Sequence, residues 1–351
     1  MPRQYLVGRP WWTCLLALLS LVCFAGLYAA TEGGYHVIRK IPIGGEGAWD
    51  YLTIDPEVHR IYVSRSSHVM VVDERSGKVI GDIPDTKGVH GIALVPEFGR
   101  GYITDGAEAM VTIFDLKTLK PITKIKTTGG NPDATIYDPV TKRVFTFNHE
   151  TGNATAIDAK TGQVVGTVQT GDSPEGPVLD GKGNIFLTLE DKDTLIEFDT
   201  KSLKVKNSWP TAPCKGPGPI AMDRVHRRLM FNCQPNKMMA LMDADTGKIL
   251  STVPIGTQVD GGGFDPSTGL AFASCGEGVL NVIHLDSPDK LSAVETVQTQ
   301  FGARTMALDP KTHHVFVVTA DFEPAPAPTA ENPRPRRQMV PNSFVILELG
   351  K

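Results

Sequence analysis

The sequence predicts an all-β fold, a seven-bladed β-propeller with four-stranded blades. Three observations predict it. A hairpin pattern returns seven times at a spacing of 40 to 44 residues. A second turn, marked by aspartate, follows inside most units. A strand is missing at the C-terminal end, and a spare one stands at the N-terminal end.

The hairpins read as YLTIDPEVHRIYVSR, GIALVPEFGRGYITD, ATIYDPVTKRVFTFN and four further copies, with markers at Asp55, Val95, Asp138, Asp180, Asp223, Asp265 and Asp309. A period in the forties with several β-rich stretches per unit is the pattern of radial β repetition. The second turns begin at Asp73, Asp115, Asp158, Asp199 and Asp243. Gly77, Gly162 and Gly247 supply a residue able to take positive φ. Leu119 and Leu203 stand in place of that glycine in two units, so differently built turns are expected there. Two hairpins per unit make four strands, hence one blade.

The segment YHVIRKIPI, residues 35–43, is strand-like but precedes the first repeat. The last repeat ends with NSFVILELG, residues 342–350, as a third strand with no fourth. The early strand can complete the last blade, which closes the ring and removes two open edges. Residues 31–351 are then one domain, because each blade buries its faces only against its neighbours. Helix is expected to be close to absent.

Residues 1–30 stand apart. Arg3 and Arg9 precede an uncharged apolar run that ends in small residues at Ala29 and Ala30. This reads as a secretory signal peptide, with an uncleaved membrane anchor as the alternative. Export would place the protein in the periplasm or outside the cell. Without this segment 33 basic residues face 39 acidic ones, which disfavours nucleic acid as a partner. An oxidising compartment allows disulfides. Cys214, in the loop before the fifth blade, and Cys233, at the end of that blade's second strand, are expected to pair. No CxxC or Cys/His spacing suggests a zinc ribbon.

The strands IYVSR, GYITD and VFTFN, with their D-x-x-T-G turns, resemble the YVTN-repeat, YncE-like β-propeller family. The resemblance implies an exported seven-bladed propeller. It transfers a fold and no catalytic residue, because the repeat is a structural motif. DNA binding has been proposed for one such protein, and more distant relatives include lactonases and dehydrogenase subunits.

Equivalent repeat positions form rings around a propeller channel. Five residues before each marker stand Asp50, His90, Asp133, Glu175, Gly218, Asp260 and Arg304. Blade packing does not require charge there. Arg304 has Asp260 and Asp50 as neighbours to pair with. The remaining negative charge must raise a carboxyl pKa, protonate the histidine, or recruit a cation. The same rim is expected to carry Arg65, Asp105, Asn148, His149 and Glu190. Three readings stay open: a water-bridged polar channel, a site for a small ligand or a divalent cation (Ca²⁺, Mn²⁺ or Zn²⁺), and a lactonase-type hydrolase with His90 as base. The metal ligands would be Asp50, His90, Asp133 and Glu175; Asp260, Arg304, Asn148 and His149 complete the ligand-binding set. A protein or nucleic-acid scaffold is a further reading. No nucleophile elbow, zincin motif or phosphate loop is present.

His59, His226, His313 and His314 fall in turns of the opposite rim and are expected to be solvated. The glycines of DGGGF, residues 260–264, are expected to serve close backbone approach. The seventh blade carries an enlarged proline-rich loop, residues 320–342, on the ring side. It can lean over the channel or bind a partner through Arg334, Arg336 and Arg337.

Overall fold

The computed structural model describes residues 33–327, 329, 335 and 337–351. Residues 1–30, expected to be a signal peptide or a membrane anchor, and Arg334 and Arg336 lie outside the described residues. Residues 34–351 form one compact unit. Seven four-stranded antiparallel sheets stand in a ring, with only three short 3-10 turns among the described residues. Their first strands touch from blade to blade all the way round, blade seven to blade one included.

The ring closes as expected. His36–Pro42 is the outer strand of blade seven, paired antiparallel with Val345–Gly350. Buried Arg65 reinforces the seam. Its guanidinium donates to the carbonyls of Gly44 and Gly47 at 2.8 and 2.9 Å. It also lies 3.7 Å from the ring centre of Phe344.

The core sits between blades. Val69, Val71 and Ile83 of blade one pack with Ile92, Ile103 and Phe114 of blade two. Hydrogen bonds repeat this seam near the axis. Thr53 donates to the carbonyl of Ile92, Thr104 to Asp133, Thr188 to Gly218, Asn232 to Gly261 and Thr305 to Asp50. Ser274 donates to the carbonyl of Arg304. Four of these acceptors, Asp50, Asp133, Gly218 and Arg304, belong to the channel ring. The backbone of that ring is therefore fixed by neighbouring blades. Gly261 shows why glycine is needed here: an added Cβ would fall 2.2 Å from Oγ of Ser274 and 2.8 Å from the backbone N of Met306.

The expectation that two second turns differ is overturned. Leu119 and Leu203 take φ of 58° and 62°, beside 69°, 75° and 70° at Gly77, Gly162 and Gly247. Leu119 N donates to Asp115 O at 2.8 Å, as Gly77 N does to Asp73 O. A left-handed leucine costs about 1 kcal/mol or more. The compensation is packing. A Cβ on Gly81, in the preceding blade's outer strand, would lie 2.3 Å from Cδ1 of Leu119, and Gly166 stands in the same relation to Leu203. Each leucine thus fills space that an outer-strand glycine leaves open.

Cys214 and Cys233 form a disulfide, and Cys275 is a buried free thiol. The turn histidines are not merely solvated. His313 Nδ1 lies 2.8 Å from the buried Asp265 carboxylate, His226 Nδ1 lies 2.6 Å from Asp223, and His59 and His314 pair with Glu74 and Glu348. Marker aspartates accept from their own turns and leave a lone pair in reach of a neighbouring imidazole.

Candidate functional site

The channel mouth collects the ring residues into two clusters and one ion pair. In the first cluster, His90 Nδ1 lies 2.5 Å from Asp50 Oδ2 and 3.8 Å from Asp133 Oδ1. The far edge of the imidazole rests on Gly106, where a Cβ would fall 2.7 Å from His90 Nε2 and 2.6 Å from Asn131 Oδ1. Oδ1 of Asp133 is buried and accepts no hydrogen bond. In the second cluster, ligand atoms of His149, Glu175 and Glu190 lie within 4.8 Å of one another, as do those of Asp50, His90 and Asp133. Arg304 Nε donates to Asp260 Oδ2 at 2.6 Å.

The electrostatics follow from this crowding. Burial, opposed by His90 and reinforced by Asp50 and Asp260, pushes the Asp133 carboxyl up to about 7. Burial and then Asp133, Asp260, Glu190 and Asp50 push Glu175 well above the usual carboxylate range. Asp260 is raised by burial, with Arg304 opposing. For His90, burial alone would lower the pKa. Its hydrogen bond to Asp50 and the charges of Asp133 and Asp50 outweigh that and raise it. His90 and Arg304 are the two basic side chains that face the ring's carboxylates.

Three predicted rim residues are elsewhere. Asn148 is buried in blade three, where its Nδ2 donates to Asn153 and Thr155. Arg65 serves the ring seam. Asp105 is buried, accepts from Thr112 at 2.6 Å and faces Lys124. The last residue of a second strand points into the blade, whereas the residue after it, such as His149 or Glu190, turns toward the channel. One-residue alternation separates these groups.

Tyr51 escaped the sequence reading. From blade one it packs against the apolar cluster of blades three and four, so its ring crosses the channel. Burial first, and then Glu175, Asp133, Asp50 and Asp260, push its phenol well above 10.0. The signal was legible: Gly91, Ala134, Gly176 and Gly261 are small at the same repeat position.

A cavity of about 470 Å³ opens beside the first cluster, lined by Trp49, Asp50, His90 and Arg304 among others. A larger one, about 830 Å³, shares Ala48, Trp49 and Arg304 with it and is lined by Phe322 and Met339 at the base of the blade-seven loop. That base is a short bridge between Phe322 and Met339. No helix among the described residues is long and apolar enough to cross a membrane.

No protein-family model matches the chain. One curated relative is the uncharacterized protein YncE of Salmonella typhi, 24% identical over 150 residues, which is 41% of this chain and 42% of that protein. The match thus spans less than half of the relative. Among solved structures, hydrazine synthase of Kuenenia stuttgartiensis is similar with a TM-score of 0.67 at 16% identity, over 78% of this chain and 92% of that one. A chain of the mitotic checkpoint complex is similar with a TM-score of 0.72 at 14% identity, over 87% and 95%. At such identities the likeness is one of fold. The chain is a seven-bladed β-propeller with YncE as a distant relative.

Proposed function

We propose that this is an exported binding protein whose channel mouth holds a divalent cation. The observation that carries the reading is the Asp50–His90–Asp133 cluster, in which a buried carboxylate oxygen without a hydrogen-bond donor sits 3.8 Å from an imidazole nitrogen. A cation coordinated there supplies the missing partner. Nitrogen beside oxygen donors favours Mn²⁺ or Zn²⁺ over Ca²⁺. The second cluster, His149, Glu175 and Glu190, repeats the same donor set. Coordination requires His90 to lose its proton, so uptake of the cation releases protons. The Cys214–Cys233 disulfide supports a site of action outside a reducing compartment.

The test is calorimetric titration of the metal-free protein with Mn²⁺, Zn²⁺ and Ca²⁺, beside a His90→Ala/Asp133→Asn variant. The expected result is saturable binding of Mn²⁺ or Zn²⁺ that falls by at least about ten-fold in the variant. Equal binding by both proteins, or none by either, overturns the reading.

A second reading is hydrolysis of lactones, favoured by the flanking of one imidazole by two carboxylates. It requires turnover of a model lactone that disappears in His90→Ala.

A further inference from the structure

The larger cavity has a chemistry opposite to that of the ring. Arg304 and Arg337 are the only charged side chains among its described lining residues, which include no carboxylate. The rest of its wall is largely apolar, with Trp49, Phe301, Phe322 and Met339 prominent. The three aromatic rings form one cluster, with Trp49 and Phe322 centroids 6.0 Å apart and Phe301 and Phe322 5.4 Å apart.

Both arginines are held in place yet have donors to spare. Arg304 is anchored through Nε to Asp260, and its two terminal nitrogens donate to no described residue. The guanidinium of Arg337 lies 4.6 Å from the centre of the Phe301 ring, and no described carboxylate pairs with it. Cation–π contact keeps a guanidinium flat on the ring while leaving its edge free. A volume of about 830 Å³ is in the range of small-ligand sites.

We infer that this cavity binds a small organic anion with an apolar body. The carboxylate or sulfonate is held by Arg304 and Arg337, and the body lies against Trp49, Phe301, Phe322 and Met339. A cation is drawn instead to the acidic ring, where the carboxylates of Asp50 and Asp133 flank His90. The inference does not depend on the metal reading, because the pocket shares only Arg304, Trp49 and Ala48 with the cavity beside the first cluster.

The test uses 8-anilinonaphthalene-1-sulfonate, followed by fluorescence in metal-free buffer at neutral pH, with N-phenyl-1-naphthylamine as the uncharged analogue. The expected result is one saturable site. Arg337→Gln and Arg304→Gln should each weaken it about ten-fold, the loss of one charge-assisted hydrogen bond. The neutral analogue should bind the wild type no better than the sulfonate binds either variant. Arg337 is exposed, so its substitution leaves the fold intact, and a thermal melt checks this. Absence of a saturable site overturns the inference. So does unchanged affinity in both variants, or equal affinity for the neutral analogue.

Discussion

His90 of blade two sets its Nδ1 2.5 Å from Oδ2 of Asp50 in blade one. Asp133 of blade three stands on its other side at 3.8 Å. One imidazole thereby joins three blades electrostatically, on a ring whose carboxylates are held close by the blade-to-blade hydrogen bonds.

The pH dependence follows from that arrangement. Asp133 holds its proton in the folded state up to about 7, whereas the unfolded chain releases it near 3.8. The raised Glu175 and Asp260 act in the same sense. Between these limits the folded state binds more protons than the unfolded state, so stability falls as pH rises. His90 adds to the trend: its raised pKa gives stability that is complete below 6.5 and lost as pH rises through its folded value. Aspartates depressed by their turn hydrogen bonds, such as Asp158 and Asp243, lose their contribution only in stronger acid. In metal-free buffer the melting temperature should be higher near pH 5 than near pH 8. The gap should shrink in Asp133→Asn; an unchanged gap would show that this carboxyl ionises normally.

Gly106→Ala tests how the imidazole is held. The new methyl would overlap His90 Nε2 and Asn131 Oδ1, at 2.7 and 2.6 Å. Overpacking of this kind costs about 1–3 kcal/mol. We expect a smaller loss of stability than that range allows at its upper end, because the side chains can shift, and a clear loss of Mn²⁺ or Zn²⁺ affinity in calorimetry. Retained affinity would mean that His90 needs no support from this side.

Arg65 ties the closing segment to blade one. Burial lowers its pKa to about 10, yet it keeps its charge at neutral pH. Arg65→Ala removes its donors from the Gly44 and Gly47 carbonyls and should cost about 3 kcal/mol in urea unfolding. Arg65→Lys should fall between, because an ammonium lacks the planar fork. Deleting residues 35–43 removes the outer strand of blade seven and should destabilise the whole ring in one transition. A separate early transition confined to one blade would count against a shared seam.

The Cys214–Cys233 bridge spans a sequence separation of 19 and should contribute about 3 kcal/mol by restricting the unfolded chain. Cys275 differs: burial pushes its thiol up to about 12, which leaves almost no thiolate at neutral pH. Peptide mapping after iodoacetamide treatment should find Cys275 unmodified in the native protein and alkylated after unfolding. Cys214 and Cys233 should be alkylated only after reduction.

The pattern along the chain establishes the number of blades, the four-strand unit and the closing strand. These follow from the regular spacing of turn residues and from apolar strands that must be buried between neighbours. It also placed Asp50, His90, Asp133, Glu175, Asp260 and Arg304 at one ring position, because a repeat converts sequence register into spatial register. Which ring groups touch is set by packing between blades. Asn148 and His149 are adjacent in sequence, yet one is bonded inside its blade and the other faces the channel. Tyr51 crosses the axis to reach the opposite blades, and Leu119 takes a glycine's conformation because Gly81 leaves it room. Each of these depends on a contact between units, and a repeat read one unit at a time carries no information about the neighbour.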